Sequence, residues 1–590
     1  TVEVAVSQDK GEAPVEKTGL YADPEKPDVD QPCVLYYKAD RHSPFFDKSG
    51  DIYAHIGINE WSDVQADWGN NISKCKFQKT DVTNLWKLEI TPSVREWFNA
   101  ADKEIFRICV VVRSSDGSSQ TADLFIPVSD SKYGFVPDEV VKESLPSGAV
   151  HGINYNADGS VTFVFYDKDK NGESYDWCYL IGEFNGWERK SEYAMKRDDS
   201  AGCWWITCSG FETGKEYMFQ YWLKKGNDKV ITHDPYTEIV YDGWNDKWIP
   251  ASTYPGLPSF PEKTSGLVSA FQTARPEYVW EVPDYKVEDK NELVIYELLL
   301  RDFTETKDIN GALEKLDYLQ SLGINAIELM PVQEFSGADS WGYNPNHYFA
   351  VDKAYGTPEQ LKVFIDECHK RGIAVIIDMV FNHTTGENPM AELYPYGNDL
   401  KDNPWFNKTG SIPHKDREFE PDWNHDFGPT KTMFTRCFQY WLNEYKVDGF
   451  RLDLSHGLCG ATAGTSVRNI KDYYEKGVKA VSPDAYMILE HWGGNMGSER
   501  PALINAGMMC WDNTTNAYYQ TAMGWLKDGD DLSSANKDNY VTYCESHDEE
   551  RAFFKAKQWG NGDLKTNEEA RVARVPLNMA FLTLLNGPKM

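Results

Sequence analysis

The chain has 590 residues, with 60 Lys and Arg against 92 Asp and Glu, for a formal charge of −32. That length holds about three or four domains at ~150 residues each, fewer if one is a barrel. The charge repels phosphate backbones and anionic headgroups, so nucleic acid and membrane surfaces are poor partners, and no run reaches the ~18 apolar residues of a membrane span.

Twenty Trp, 33 Tyr and 28 Phe make a heavy aromatic load. Large cores account for most of it, and flat rings are also platforms for the apolar faces of sugar rings. The eleven cysteines are scattered, with no CxxC pair or Cys/His quartet, so buried free thiols are expected. Residues 1–30 are polar and rich in Asp, Glu and Pro, which predicts a flexible tail. No signal-peptide pattern opens the chain, and the tail reads as the remnant of a removed targeting segment.

From 31 to 130, β-branched and aromatic runs such as "DIYAHIGI" and "FRICVVVRSS" are split by turn residues, as in an all-β sandwich. A linker follows, "SKYGFVPDEVVKESLPSG", and then a second all-β module over 151–245, with "VTFVFYD", "CWWITCSGF" and "YMFQYWLK". Residues 246–290 carry Pro250, Pro255, Pro258 and Pro261 and are expected to be a connector.

At Asn291 the rhythm changes. Apolar strand candidates "LVIYELLL", "INAIELMP", "IAVIIDMV", "VDGFRLDL", "AYMILE", "MMCW" and "YVTYCE" alternate with helix candidates such as "TPEQLKVFIDECHKRG". This alternation predicts a parallel sheet covered by helices, and seven units with an eighth starting near "GPKM" fit a (β/α)8 TIM barrel over 291–590. Because that eighth strand only begins at Met590, the natural protein is expected to continue. Residues 384–430 are too long for an ordinary loop and suggest a small inserted domain after strand 3, carrying Trp405, His414, Trp423, Asn424 and His425.

Chemistry in such barrels gathers at the C-terminal strand ends. Here those ends carry Asp378, Asn382 and His383, then Arg451 and Asp453, then Glu490 and His491, and last Glu545, His547, Asp548 and Arg551. One strand-end Asp often caps the next helix. Four ends with carboxylates, each with His or Arg alongside, are hard to explain as caps. Converging carboxylates suit glycoside cleavage, which needs a nucleophile, an acid of raised pKa and a group aiding an oxocarbenium-like centre.

The motifs "DMVFNH", "GFRLDLSHG", "ILEHW" and "ESHD", in this order, resemble those of the α-amylase family of retaining α-glucan enzymes, over about 291–590. The resemblance implies Asp453 as nucleophile, Glu490 as general acid/base and Asp548 as transition-state stabiliser. It also implies sugar contacts from Asp378, His383, Arg451, His456 and His547, with Tyr343 of "SWGYNP" as aromatic platform. A retaining mechanism implies Asp453 and Glu490 carboxyls ~5–5.5 Å apart.

The pattern departs from calcium-dependent relatives, which place Lys-His where this chain has His456-Gly457. The family's calcium ligand falls on Asn382, but the departure weighs against a metal there, and the chemistry itself implies no cofactor.

The second module resembles the β-sandwich before the barrel in isoamylases, pullulanases and branching enzymes, through "LIGEFNGW", "MKRDDSAGCWW", "GKEYMFQYW" and "DPYT". It serves either as a packing partner or as a sugar-binding face through Trp187, Trp204 and Trp222. The first resembles small starch-binding sandwiches; Tyr36, Tyr37, Trp61 and Trp68 form either a glucan-binding face or, for the tyrosines equally, part of the core.

The expected activity is hydrolysis of internal α-1,4 bonds in starch-like glucans such as starch, glycogen and maltooligosaccharides. Neopullulanase, α-1,6 debranching or branching-type transfer at the same site is the alternative, and a non-catalytic starch-binding protein the third reading. The polymeric substrate and binding-type modules suggest a monomeric bacterial protein, secreted or held at the cell surface or periplasm.

Overall fold

The computed structural model describes residues 17–59, 61–133, 138–226, 228–394, 402–407, 421–462, 464–493, 495–525 and 536–590. They fall into two compact units, the first mainly the stretch up to Glu139 and the second running from Val140 to Met590, with two short returns to the first.

The first unit is a β-sandwich. One sheet is ordered β1-β2-β5-β4 and the other β3-β6-β7, from β1 (Gly19–Asp23), β2 (Cys33–Lys38), β3 (Ile52–Ile58), β4 (Gln78–Lys79), β5 (Leu85–Ile90), β6 (Arg107–Ser114) and β7 (Leu124–Pro127). Strand β2 alternates buried and half-buried positions, with Cys33, Leu35 and Tyr37 inward, as a strand packed on one face must. Strand β1 corrects the expected tail over 1–30: Gly19–Asp23 pairs antiparallel with Val34–Lys38, so the sandwich begins inside that segment.

The second unit opens with another sandwich, from β8 (Gly152–Tyr155), β9 (Val161–Tyr166), β10 (Trp177–Gly182), β11 (Lys196–Asp198), β12 (Cys203–Cys208), β13 (Glu216–Lys225), β14 (Asp228–Thr232), β15 (Ile239–Asp242) and β16 (Leu267–Gln272). Its sheets are ordered β11-β12-β9-β8 and β10-β13-β16-β15, with β14 beside β13. The expected boundary at 245 is too short. Strand β16 lies inside the region expected to be a connector, yet it pairs with both β13 and β15. Its partners are distant in sequence and a proline-rich loop precedes it, so local pattern does not reveal it.

Seven parallel strands follow in strict sequence order: β17 (Ile295–Leu298), β18 (Ala326–Leu329), β19 (Ala374–Met379), β20 (Gly449–Leu452), β21 (Tyr486–Leu489), β22 (Met509–Asn513) and β23 (Tyr540–Tyr543). Every position of β18 to β21 is buried, as expected where side chains fill the barrel on one face and meet helices on the other. The final residues close the ring. Lys589 bridges Val294 on one side and Thr542 on the other, the latter within β23, through hydrogen bonds such as Ile295 N to Lys589 O (2.8 Å) and Met590 N to Thr542 O (2.9 Å). This short eighth segment sits where the start near "GPKM" was expected and covers the edges of the first and seventh strands.

The helix Pro358–Lys370 starts at a capping box formed by Thr357 and Gln360, with Pro358 in its first turn. One hydrophobic core runs from the second sandwich (Phe163, Phe219, Phe271) through the insertion (Trp405, Trp423) into the barrel (Phe381, Phe450). Tyr394 of the insertion donates to Asp167 of the sandwich (2.6 Å), which also accepts from Trp204 Nε1 (2.8 Å). Trp204 and Trp222 are therefore core residues, 1% and 2% exposed, and not sugar platforms. His414 and much of the insertion lie outside the described residues. All eleven cysteines are free thiols, ten of them buried. Among the described residues no helix is long and apolar enough to cross a membrane.

Candidate active site

Arg451 is the hub of the strand ends. Strands β19 and β20 pair with Asp378 opposite Arg451, so both side chains leave the sheet on one face. Arg451 Nη1 donates to both oxygens of Asp378 (3.0 and 2.9 Å) and to Oδ1 of Asp453 (3.1 Å). Its Nη2 lies 2.9 Å from Glu490 Oε2, and the Trp511 ring covers the guanidinium at 4.2 Å. The arginine is fully buried. A buried guanidinium needs counter-charge, and here three carboxylates share it.

Burial, and after it the charges of neighbours, sets the protonation. Burial pushes Glu490 up to about 7, against the pull of Arg451 and with the push of Asp453. Burial also lifts Asp378 to about 6, again opposed by Arg451. Glu490 is held at both oxygens, by Trp492 Nε1 (3.0 Å) and by the backbone N–H of Leu454 (2.8 Å). Leu454 makes that contact from a left-handed backbone (φ 37°, ψ 51°), which costs a leucine on the order of 1–3 kcal/mol and turns its N–H toward the carboxyl.

Asp453 accepts from Asn382 Nδ2 at its carbonyl and at Oδ2, both at 3.0 Å. The other end of the Asn382 amide faces His383 Nδ1, and His383 Nε2 donates to the Tyr343 carbonyl (2.8 Å). Tyr343 donates its hydroxyl to Asp378 Oδ2 (2.7 Å) and stacks on His547 at 4.9 Å. His547 places Nε2 3.4 Å from Asp548 Oδ1, and Asp548 is the exposed member of the group, its side chain 58% accessible. The structure thus gathers Asp453, Glu490, Asp548, Asp378, Tyr343, His383, Arg451 and His547 at one barrel mouth.

His456 stands apart from that cluster. Its ring packs edge-on to His491 at 5.5 Å and lies 3.9 Å from Glu499. His491 joins Glu499 (3.1 Å) to Ser455 Oγ (3.0 Å), and Ser455 donates to the Glu490 carbonyl through its N–H (2.9 Å) and hydroxyl (3.1 Å). The second half of "GFRLDLSHG" therefore braces the backbone of Glu490.

The residues aligned with a calcium site do not fit one. The Asn382 amide is committed to Asp453 and His383, and the Gly457 carbonyl, which stands at the histidine position, accepts the Cys459 N–H (2.7 Å). A Cβ on Gly457 would lie 2.9 Å from Asn382 Cβ, so a histidine there would displace the asparagine. Among the described residues no cluster of three or more His, Cys, Asp or Glu is arranged to hold a metal.

Two site residues escaped sequence reasoning. Glu297 on β17 accepts from His547 Nδ1 (2.6 Å). Burial alone would lower His547, but the Glu297 carboxylate outweighs it and lifts the imidazole to about 9, so it is a cation at neutral pH. Glu328 on β18 is buried below Arg451 and Asp378, and burial holds its carboxyl well above the usual range. The available signal was an acidic residue inside an otherwise apolar strand, in "IYEL" and "AIEL".

In the first unit, Trp61 stacks on His55 at 5.6 Å and Trp68 meets the same ring edge-on at 5.0 Å, with Trp68 47% exposed. Tyr36 stacks on Tyr21, whereas Tyr37 is buried and bonded to Ser43. In the second sandwich, half-buried Trp187 packs on the Met218, Tyr241, Val268 and Ala270 cluster.

Residues 300–431 match the family model described as alpha amylase, catalytic domain. A malto-oligosyltrehalose trehalohydrolase of Saccharolobus solfataricus is 31% identical over 295 residues, 49% of this chain and 45% of that protein. A 1,4-alpha-glucan branching enzyme of Aquifex aeolicus is 27% identical over 299 residues, 47% of this chain and 42% of that protein. The chain spans less than half the length of these relatives. In fold it resembles a pullulanase from Paenibacillus barengoltzii, crystallised with maltohexaose and alpha-cyclodextrin, at a TM-score of 0.57 and 17% identity, over 75% of this chain and 73% of that one. Three acidic strand ends meet on one guanidinium in a seven-strand parallel sheet, and within that sheet residues 300–431 are similar to the catalytic domain of the α-amylase family.

Proposed function

We propose that the chain hydrolyses internal α-1,4-glucosidic bonds of starch-like α-glucans by a retaining double displacement. The observation that carries this reading is one buried guanidinium holding both Asp453 and Glu490. Arg451 keeps Asp453 oriented as an anion able to attack the anomeric carbon. Glu490, with burial lifting it to about 7, retains a proton to give to the departing glycosidic oxygen. Once that bond is broken and the Asp453–sugar ester formed, Glu490 takes a proton from water, whose oxygen attacks the same carbon and releases Asp453. Asp548, exposed at the rim and set by the His547 cation, faces the positive charge that develops on the sugar ring. Tyr343, His383 and Asp378 line the same mouth as sugar contacts.

The trehalohydrolase and branching enzyme named above bear on the choice between water and a sugar hydroxyl as second attacker, since the two reactions share this first step. The products formed from amylose, pullulan and amylopectin test the reading. Maltooligosaccharides from amylose, with pullulan left intact, are expected. Pullulan cleavage or new branch points would move the assignment to neopullulanase, debranching or transfer. The proposal needs no calcium, because the Asn382 amide already serves Asp453 and His383. Activity and melting temperature are expected to survive chelation, and a fall in either would overturn that part. We place the protein, by its polymeric substrate, at the cell surface or outside the cell; fractionation with an antibody to the chain tests this.

A further inference from the structure

A groove of about 1000 Å³ lies between the second sandwich and the barrel helix Gly428–Glu444, and it shares no lining residue with the strand-end site. Its size is at the upper end of ligand sites, which run to ~1,000 Å³. The floor is aromatic. Tyr236 packs on Phe349 at 5.2 Å, Phe349 meets Tyr440 at 5.5 Å, and Arg436 lies 3.9 Å over the Tyr236 ring. Tyr155 stands on the wall, 53% exposed, on strand β8. Exposed Asn443 faces the groove from the helix, and Glu238 and Glu444 add carboxylate acceptors.

The charges indicate what fits. Arg436 already donates to the His151 carbonyl (2.7 Å), and Arg275 is paired with Glu359 (2.9 Å). With both arginines committed and four carboxylates on the lining (Asp158, Glu238, Glu277 and Glu444), an anionic ligand is repelled. Flat rings beside amides and carboxylates suit a neutral molecule with apolar faces and a hydroxyl edge. We propose that this groove binds a segment of α-glucan chain, apart from the cleft where bonds are cut. The inference rests on the α-glucan reading above for its ligand class, and on the groove alone for its place.

Affinity electrophoresis of the full chain in glycogen-containing gels tests it, with Asp453→Asn present to stop turnover. Tyr155→Ala with Asn443→Ala is expected to weaken retardation about tenfold, the scale of losing an aromatic anchor. Asn443→Trp, which fills the groove and leaves the sandwich core alone, is expected to do the same. In chains with Asp453 intact, kcat/KM on a maltotrioside should not change. Retardation untouched by both changes, absent already with the groove unaltered, or lost only on Trp68→Ala overturns the groove. Should the unaltered chain cleave no α-glucan yet depend on Tyr155 and Asn443 for retardation, the catalytic reading fails and the groove stands.

Discussion

The barrel mouth and the aromatic face of the first unit, each proposed as a surface for sugar, are built in opposite ways. At the mouth, Arg451 is wholly buried and the acids around it outnumber it, so each proton position is set by burial first and by a neighbour's charge second. On the first unit, Trp61 and Trp68 pack on His55 through ring contacts, with Arg113 5.9 Å over the Trp68 ring and Trp68 nearly half exposed. Charges in a dry site act on one another strongly, whereas exposed rings contribute area one by one. A single substitution should therefore disable the mouth and only weaken the face.

Asp453→Asn is the largest test of that difference. Removing the nucleophile is expected to lower kcat on soluble α-glucan by at least about a thousandfold. The amide can still accept from Arg451, and one of three crowded carboxylates loses its charge. The melting temperature should therefore hold or rise, and near-normal turnover would end the assignment. Because Asp453 also raises Glu490, the same change should move Glu490 down toward the ordinary carboxylate range, readable as a carboxyl titration in the isolated variant.

Glu297→Gln probes a partner one step behind the reacting groups, and a smaller effect is expected. Glu297 holds the His547 cation, which titrates at about 9 with it and, buried without it, falls below its ordinary 6.5. Wild-type His547 is thus charged below about 9, and the variant's only in acid. The activity ratio of variant to wild type should be near one at pH 5 and fall about tenfold by pH 8. The loss of Glu490's proton above about 7 affects both enzymes and cancels in the ratio. By the same sign, the pair's stabilisation is fully present below pH 6.5 and lost as pH rises through about 9. A ratio independent of pH would reduce Glu297 to packing.

Much of the barrel was legible, because its strands are unbroken apolar runs that end in polar clusters. Asp378, Arg451, Asp453, Glu490 and Asp548 each sit at such an end, where an acid in an apolar rhythm stands out. Glu297 and Glu328 lie within strands, where one acidic residue has no period to mark it and only the closed sheet shows what it faces. Strand β16 was illegible for a different reason, since its partners β13 and β15 are set by long-range pairing. The roles of Ser455 and His456 depended on a loop conformation, the left-handed turn at Leu454, that a leucine gives no reason to expect. Tryptophan count misled in the second sandwich, where Trp204 and Trp222 fill the core.

Trp61 and Trp68 are the smallest test and the one that defines the other side of the comparison. Both are held against His55, whose imidazole burial keeps below its ordinary value and hence neutral at pH 7. Contact through ring faces depends little on charge, so binding should change less between low and high salt than binding through ions would. Trp68→Ala removes the more exposed ring and should reduce retention on insoluble starch about threefold to tenfold, and Trp61→Ala somewhat less, since that ring is more enclosed. Turnover of soluble maltooligosaccharide should stay at the unaltered rate, because these rings belong to the first unit and no residue of the mouth does. Equal loss on soluble and insoluble substrate would mean that the substitutions damage folding, and unchanged retention would assign the trio to packing of the sandwich.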